Sequence, residues 1–338
     1  MLARKSRVLC VGLVCLDIIQ ECSSFPEEDS DQRCSSIRWQ RGGNAANNCT
    51  VLSQIGLDCE FLGSFSMHTE LGFIKKDFED HGICIDHCPT RKGNAEKSFL
   101  DSFPVSTVLI NCKNGSRTII HSKGDLPELS LENFKQLDLS EYSWIHFEGR
   151  NIEAISSMMD SIRQWRDMHS TGTCALPTIS VELEKPKPGL LSLAILADII
   201  FIGKDFALYH EWNEMESAIE GMSNHVHEGA IIVCTWGEHG SSAARLHSSI
   251  ELNLEGHKAI TKELFHSPAY PPSTVLDTLG AGDTFVAGFI RAFSAHIPLQ
   301  KALQFACKVA GAKVGMKGFS EIREAYIEIL KDFPEIRP

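Results

Sequence analysis

The chain has 338 residues, of which 43% are apolar and 22% are charged, and this is the composition of an ordinary globular protein. Its net charge of −12 argues against a general binder of nucleic acid or of anionic membranes, because both require a basic surface. The apolar run Leu190–Ile202 carries Asp198 and is too short to cross a bilayer. We therefore predict neither a nucleic-acid partner nor a membrane partner.

The 12 cysteines form no recognisable metal or disulfide pattern. No Cys-x-x-Cys pair is present, and the spacings match no zinc module. Several cysteines lie within apolar runs, where this residue usually serves as a small buried side chain. These are Cys10, Cys15, Cys49, Cys112, Cys234 and Cys307. The pattern predicts a reducing, cytoplasmic compartment.

The chain begins with a basic stretch followed by an apolar one, Val8–Val14, which weakly resembles a secretory signal. Asp17 interrupts the apolar stretch and no small-residue cleavage site follows, so we predict a first buried strand instead. Ligands of open α/β sheets bind beyond the carboxyl ends of the strands, which makes Asp17 a candidate sugar contact. A solvated loop aspartate is the alternative and is the more common fate of this residue type.

A Gly-Gly-Asn-Ala-Ala-Asn motif follows. Gly42 and Gly43 are expected to break the chain, and Asn44 is expected to cap a helix over Ala45–Ile55. Asn44 and Asn47 then share one face of the first turn. Amides both donate and accept hydrogen bonds, so this pair suits the hydroxyls of a sugar. Capping accounts for Asn44 alone and leaves Asn47 unexplained.

A predicted β hairpin interrupts the α/β rhythm. Val105–Cys112 and Arg117–His121 are strand-like, and Asn114-Gly115 between them is a strong turn signal. We predict a small β lid over a cleft, made of about residues 15–40 and 90–121 and lengthened at 94–104. Arg117 could swing from this lid towards a phosphate, or it could simply face solvent.

From Trp144 onwards short apolar strands alternate with helices, which predicts a parallel sheet with helices on both faces. The strands are Trp144–Phe147, Thr178–Val181, Ile199–Ile202 and Ala230–Cys234. A turn made of Gly237, Glu238, His239 and Gly240 follows the last strand, at the edge of the sheet where a nucleotide would lie. Three helices close the chain. Residues 1–320 are predicted to form the main domain, and residues 321–338 a C-terminal surface helix.

The strongest signal is the stretch Asp277–Phe285. Gly280, Ala281 and Gly282 keep a turn free of large side chains, so that amide N–H groups can approach a ligand closely. The helix start behind them offers unpaired N–H groups to a phosphate. Asp283 follows this turn and could serve as a helix cap. A carboxylate beside a phosphate site is also what a kinase needs to accept a proton from an attacking hydroxyl.

These two motifs resemble the two signatures of the ribokinase-like (PfkB) carbohydrate kinases, in the same order and more than 200 residues apart. The resemblance extends from Val8 to about Phe319, and the run Trp144–Asn151 is similar to the family members that phosphorylate fructose. It implies a three-layer α/β fold with a mostly parallel central sheet, flanking helices and a small β-sheet lid. The sequence contains no Walker A pattern and no Gly-x-Gly-x-x-Gly, so no P-loop or dinucleotide fingerprint competes with this interpretation.

The resemblance also implies ATP-dependent transfer of a phosphoryl group to the 1-hydroxyl of D-fructose. Asp283 would be the general base, and Gly280, Ala281 and Gly282 would form the anion hole. The sugar would be held by Asp17, Gly43, Asn44, Asn47 and Asp283. The nucleotide would be held by Arg117, Gly237, Glu238, His239, Gly240 and the anion hole. Mg²⁺ with ATP, an activating K⁺ near the anion hole and a homodimer joined through the β lids are implied as well, but the sequence identifies no metal ligand.

Two other functions fit the same motifs. A sister kinase of the family would phosphorylate ribose, adenosine or a 2-keto-3-deoxy sugar acid. The sugar acid requires a cationic clamp near Asn44, for which Arg38 and Arg41 are available. The second alternative is a catalytically silent sugar- or nucleotide-binding regulator on the same fold, and the intact Asp283 argues against it.

Overall fold

The computed structural model describes residues 7–66, 71–91, 103–171, 176–252 and 258–336. The strands are β1 Arg7–Val11, β2 Cys15–Cys22, β3 Ser36–Gly42, β4 Cys59–Leu62, β5 Phe65–Ser66, β6 Thr90–Arg91, β7 Val105–Asn111, β8 Ser116–Ser122, β9 Tyr142–Glu148, β10 Thr178–Leu183, β11 Ile199–Ile202, β12 Ile231–Thr235, β13 Ser241–Leu252 and β14 Lys258–Ser267. The α-helices are α1 Asn44–Gln54, α2 Leu71–Asp80, α3 Leu131–Phe134, α4 Ile152–His169, α5 Lys204–Tyr209, α6 Met215–Ser223, α7 Ala281–Ser294, α8 Leu299–Val314 and α9 Ile322–Ile329. The predicted lengthening of the lid at 94–104 falls largely outside the described residues.

The larger sheet has the strand order β14-β13-β12-β11-β10-β9-β1-β4. Neighbours from β4 to β12 are parallel, as the run of short apolar strands predicted, because strands covered on both faces carry continuous apolar residues. An antiparallel hairpin, β13 and β14, extends one edge. This hairpin was not predicted from the sequence, because its strands are rich in Ser, Lys and Glu and lack a long apolar run.

Two apolar layers cover the two faces of the larger sheet. Side chains alternate along β1, so Val8 and Cys10 join one layer while Leu9 and Val11 join the other. Helices α1, α7 and α8 supply the first layer, and α4 and α6 supply the second. The predicted three-layer arrangement of helices around a mostly parallel sheet is therefore confirmed.

The smaller sheet forms the predicted lid and has the order β3-β2-β7-β8. Strands β7 and β8 pair from Val105↔Ser122 to Asn111↔Ser116, so the predicted hairpin is present. The inner face of the lid carries Ile19, Val108 and Ile110, which pack against Leu279 of the main domain. This contact places the lid directly above the glycine-rich stretch that precedes α7.

The C-terminal segment packs on the main core. Tyr326 of α9 is buried in the same apolar layer as α8, and so are Phe333 and Ile336 beyond the helix. The ring of Phe333 meets that of Phe305 edge to face, with centroids 5.3 Å apart. The C-terminal helix therefore lies at the surface with one face exposed, as Ile327 is, while its other face packs on this apolar layer.

Two local predictions are wrong. Asn44 is the first residue of α1 and not its cap; Gly43 precedes it with φ +100°, a conformation that favours glycine. Cys112 is exposed, whereas the other five cysteines predicted to be buried are buried. Cys112 follows the last residue of β7 at the tip of the hairpin, where the sheet no longer covers it.

Candidate active site

A cleft of about 870 Å³ lies between the carboxyl ends of the central strands and the lid. Nine residues predicted from the sequence line it, namely Asp17, Gly43, Asn44, Asn47, Arg117, Gly237, Gly280, Gly282 and Asp283. Four other residues predicted from the sequence are not among those that line the cleft, namely Glu238, His239, Gly240 and Ala281. The two sequence motifs, far apart in the chain, therefore meet in one place.

The glycine turn, Gly280–Gly282, forms the N-terminal entrance of α7. Gly280 has φ +78°, and a Cβ there would lie 2.4 Å from Phe319 Cζ, so the position requires glycine. A Cβ on Gly282 would meet no heavy atom within 4 Å, because this residue faces the open cleft. That space, in front of a helix N-terminus, suits a phosphoryl group. The N–H of Ala281 instead donates to Thr278 O at 3.3 Å.

Asp283 lies in the first turn of α7 with 7% of its surface exposed. Asn47 Nδ2 donates to Asp283 Oδ2 at 2.7 Å, and Asn48 Nδ2 donates to the Asp283 carbonyl oxygen at 2.9 Å. Burial raises the pKa of Asp283 to about 7; the hydrogen bond from Asn47 opposes this rise, and repulsion from Glu184 and Glu148 adds to it. A carboxylate of this kind exchanges its proton near neutral pH, as a general base must.

Three glutamates that were not predicted as site residues line the cleft together with Asn44. Asn44 Nδ2 donates to Glu184 Oε2 at 2.7 Å and to Glu182 Oε2 at 3.3 Å, and Glu148 lines the same cleft. Burial raises the pKa of Glu182 well above its usual range, and repulsion from Glu184 and Asp283 adds to the rise. The floor of the cleft is therefore rich in carboxylate oxygens.

No group of three or more His, Cys, Asp or Glu side chains within the described ranges is arranged to hold a metal ion by itself. This does not exclude Mg²⁺, which typically takes one or two carboxylates, several waters and the phosphates of a substrate. Glu182 and Glu184 have the donor chemistry for that kind of site. Glu182 also repels Glu184 and Asp283, and a bound cation would relieve this repulsion.

Asp17 and Asn47 also present polar groups to the cleft. Asp17 is buried, burial raises its pKa, and the Cys15 thiol donates to Asp17 Oδ1 at 3.3 Å. A Cβ on Gly42 would lie 2.2 Å from Asp17 Oδ2, so the carboxylate lies directly against the backbone. Asn47 Oδ1 is buried and has no hydrogen-bond partner in the described part of the chain. An unpaired buried acceptor that lines a cleft is suited to a ligand hydroxyl.

Basic side chains line the remaining wall. Arg117 on β8 is exposed and donates to Thr278 Oγ1 at 3.1 Å, beside the glycine turn. Lysines also line the cleft, namely Lys123, Lys185, Lys187 and Lys204. Lys185 Nζ lies 3.0 Å from Glu184 Oε2, so cationic and anionic groups meet next to Asp283. A wall with this charge suits the phosphates of a nucleotide.

Position along the strands could have identified the residues that the sequence analysis missed. Glu148 directly follows the predicted strand Trp144–Phe147, and Glu182 and Lys185 follow Thr178–Val181. The carboxyl ends of parallel strands meet at one edge of the sheet. The rule that predicts Asp17 and the turn after β12 as site residues covers the residues after β9 and β10 equally.

Arg38 and Arg41 do not reach the cleft. Arg41 Nε donates to Asp77 Oδ2 at 2.5 Å, and its guanidinium lies 4.0 Å from the centre of the Phe78 ring. Arg38 lies 3.2 Å from Asp277 Oδ2. Both guanidinium groups are therefore engaged away from Asn44, and neither supplies the cationic clamp that a sugar acid would need.

A buried carboxylate beside a phosphate-sized space, facing amide groups that suit hydroxyls, defines a phosphotransferase that acts on an alcohol. The chain matches the family described as pfkB family carbohydrate kinase over residues 5–325, and it belongs to that family. No helix in the described ranges is long and apolar enough to span a membrane.

The relatives give the family relationship in more detail. The chain is 39% identical to the ketohexokinase of Mus musculus over 321 residues, which cover 94% of this chain and 99% of that protein. It is 25% identical to the fructoselysine 6-kinase of Escherichia coli (strain K12) over 267 residues, 78% of this chain and 85% of that protein. The structure of ribokinase from Giardia lamblia superposes with a TM-score of 0.75 at 17% identity, over 97% of this chain and 100% of that one; it shows the shared fold.

Proposed function

We propose that the protein is an ATP-dependent kinase that phosphorylates D-fructose at its 1-hydroxyl. The position of Asp283 carries this proposal: it is buried at the glycine turn, its pKa is raised to about 7, and it contacts the Asn47 amide at 2.7 Å. The choice of sugar is supported by the likeness to mouse ketohexokinase, which spans 99% of that protein.

In the proposed mechanism, Asp283 accepts the proton of the sugar hydroxyl as the oxygen attacks the γ-phosphorus of ATP. A bond forms between that oxygen and the γ-phosphorus, the bond from the γ-phosphorus to the β–γ bridging oxygen breaks, and ADP leaves. Gly280 and Gly282 line the space for the transferred group, and backbone N–H groups at a helix start stabilise its charge. Phosphoryl transfer requires alignment and charge neutralisation above all.

The sugar is held at the end of the cleft where Asp17, Gly43, Asn44 and Asn47 meet. Asn47 Oδ1, which is buried without a partner among the described residues, accepts from a sugar hydroxyl while its Nδ2 holds Asp283. The nucleotide lies along the basic wall, with Arg117 near the glycine turn and Gly237 at the end of β12. Glu182 and Glu184 would hold Mg²⁺ that accompanies ATP, and the ion would supply neutralisation of the phosphate charge.

The activating K⁺ and the cytoplasmic setting stay predictions. The K⁺ follows from the family resemblance, and turnover measured in potassium and in sodium salts tests it. A reducing compartment is supported by the cysteines in the described ranges, which are all free thiols and are mostly buried; structural disulfides are typical of oxidising compartments.

The proposed dimer is supported by the outer face of the lid. Ile37 and Trp39 on β3 and Ile120 on β8 are more than half exposed. The strand register places all three on the same side of the sheet, since Trp39 pairs with Ile18 and Ile120 pairs with Thr107, the partner of Ile18. A contiguous exposed apolar surface of this kind marks an interaction site. Two lids that pack face to face would cover it.

The test is ADP release coupled to a reporter reaction, with Mg-ATP and K⁺, for fructose, ribose, glucose, 2-keto-3-deoxygluconate and adenosine. The phosphorylated carbon of the product is located by NMR. Strong turnover of fructose with phosphate on C1 is expected. Preference for another acceptor would retain Asp283 as the base but move the function to a sister kinase. No turnover of any acceptor by folded protein that binds ATP would favour a silent regulator.

A further inference from the structure

Lys313 is a buried lysine that the mechanism above does not use. It lies near the end of α8 with 0% of its surface exposed. Its Nζ donates to the Asp277 carbonyl oxygen at 2.9 Å and lies 3.4 Å from Asp277 Oδ2. Burying an ion pair is costly, and well-packed apolar side chains of similar volume often give equal or greater stability. Stability alone therefore does not explain why Lys313 and Asp277 form a buried ion pair.

The Asp277 carboxylate contacts the backbone on two sides of the glycine turn. Its Oδ1 accepts the N–H of Leu279 at 2.9 Å, and Leu279 directly precedes Gly280. Its Oδ2 accepts the N–H of Gly318 at 3.1 Å, and Gly318 directly precedes Phe319, whose ring packs against Gly280. The carboxylate thus holds both the backbone that enters the turn and the residue that supports it.

The lid reaches the same carboxylate. Arg38 on β3 lies 3.2 Å from Asp277 Oδ2 and also donates to Glu21 Oε1 on β2 at 2.9 Å. Arg38 belongs to the lid, whereas Lys313 belongs to the main core. Lys313 is therefore a counter-charge for Asp277 that does not depend on the position of the lid.

We propose that Lys313 is a positioning residue for phosphoryl transfer: its ammonium holds Asp277, and Asp277 holds the glycine turn in the geometry in which its amides meet the transferred group. This inference rests on the proposed function. Lys313 does not line the cleft as described, so it acts through Asp277 and not on the substrate. A displacement of about 1 Å at such a site is enough to lower turnover by about 10²-fold.

The test compares Lys313→Met with Lys308→Met. The first removes the charge and keeps a long side chain. The second is a matched control on the same helix. Lys308 forms its ion pair with Asp332 at 2.5 Å and not with Asp277, so its removal leaves the contacts of Asp277 unchanged. We expect Lys313→Met to lose about 10²-fold in kcat, with the KM for ATP and for sugar and the affinity for ADP changed by no more than about threefold. Lys308→Met should retain wild-type kcat.

The double variant Lys313→Met/Asp277→Asn covers the case in which Lys313→Met fails to fold, because it leaves no unpaired charge at this place. We expect the double variant to regain thermal stability and to remain slow, since an amide without its cation holds the turn less firmly. Wild-type kcat in either folded variant would overturn the proposal. Equal losses of kcat and of ADP affinity would overturn it as well, because they would indicate a general loss of structure.

The proposed function fails separately if the wild-type protein phosphorylates none of the sugars. In that case, affinity for Mg-ADP with aluminium fluoride, which mimics the transferred group, replaces turnover as the measurement. We expect this affinity to fall by at least about tenfold in Lys313→Met while affinity for Mg-ADP alone is unchanged. Equal affinities in variant and wild type would contradict the role of Lys313.

Discussion

At the scale of single residues, the chemistry depends on Asp283, whose carboxylate is buried and in contact with Asn47. Asp283→Asn keeps the shape of this side chain and removes its basicity. We expect kcat to fall by about 10²–10⁴-fold, while ATP binding measured by calorimetry is retained. Thermal unfolding should show equal or greater stability, because a charge crowded by Glu184 and Glu148 is removed. Wild-type turnover would contradict its assignment as the base.

The pKa of Asp283 leads to a pH prediction. Because this pKa is raised to about 7, the carboxylate is protonated below that pH and cannot accept a proton, so kcat/KM should fall as pH decreases through 7. The hydrogen bond from Asn47 favours the charged form. Asn47→Ala should therefore move the acidic limb of the pH profile to higher pH, in addition to weakening sugar binding. A limb that stays in place, or moves to lower pH, would contradict this account.

Gly282 and Gly280 should respond differently to alanine. A Cβ on Gly282 would enter open space in the cleft, so Gly282→Ala should fold with wild-type stability but lose turnover, because the methyl group occupies the place of the transferred phosphoryl. Gly280 has φ +78°, and a Cβ there would overlap Phe319, so Gly280→Ala should also lower the unfolding temperature. Thermal unfolding and kcat measured together test this. Full activity of Gly282→Ala would place the phosphoryl elsewhere.

At the scale of elements, the C-terminal segment is part of the core. Phe333 is buried against Phe305, so Phe333→Ala should lower the free energy of unfolding by about 3–5 kcal/mol. Ile327 on α9 is 53% exposed, and Ile327→Ala is the matched control with little expected effect. Urea unfolding monitored by circular dichroism measures both. Equal stability of the two variants would indicate that the segment contributes little to the fold.

The elements that could be predicted from the sequence are those with a strong local pattern. The buried parallel strands are short apolar runs, and the lid hairpin has Asn114-Gly115 at its turn, so both were found. Strands β13 and β14 were not, since the buried part of β13 consists mainly of small serine and alanine side chains and the edge strand β14 is largely exposed and rich in charged residues. The cap at Asn44 was misassigned because asparagine favours caps in general, whereas here its amide is drawn to Glu182 and Glu184.

At the scale of the whole molecule, the exposed apolar face of the lid predicts association. Ile120 is 64% exposed on β8, an edge strand of this sheet, so Ile120→Lys should convert the proposed dimer to a monomer in sedimentation experiments, because a buried unpaired charge opposes the interface. Leu264, exposed on the edge strand β14, provides the control Leu264→Lys, which should remain dimeric. A dimer that survives Ile120→Lys would have to use another surface.

The sequence by itself determined the family, the parallel sheet, the lid and the two motifs, because each of these depends on residues that are neighbours in the chain. A glycine turn, a helix start and an apolar strand are local requirements. They identified Asp283, Asn44, Asn47 and the glycine turn without knowledge of their surroundings.

Only the tertiary structure decided how these residues work together. Asn47 and Asp283 are 236 positions apart, and the pKa of the aspartate follows from burial and from Glu184 and Glu148, which lie at the carboxyl ends of β10 and β9. The fold also forms the ion pairs Arg41–Asp77 and Lys313–Asp277. The positions of these charged residues in the sequence do not predict either pair. Burial and electrostatic interaction depend on distance in space, and that distance is set only when the chain has folded.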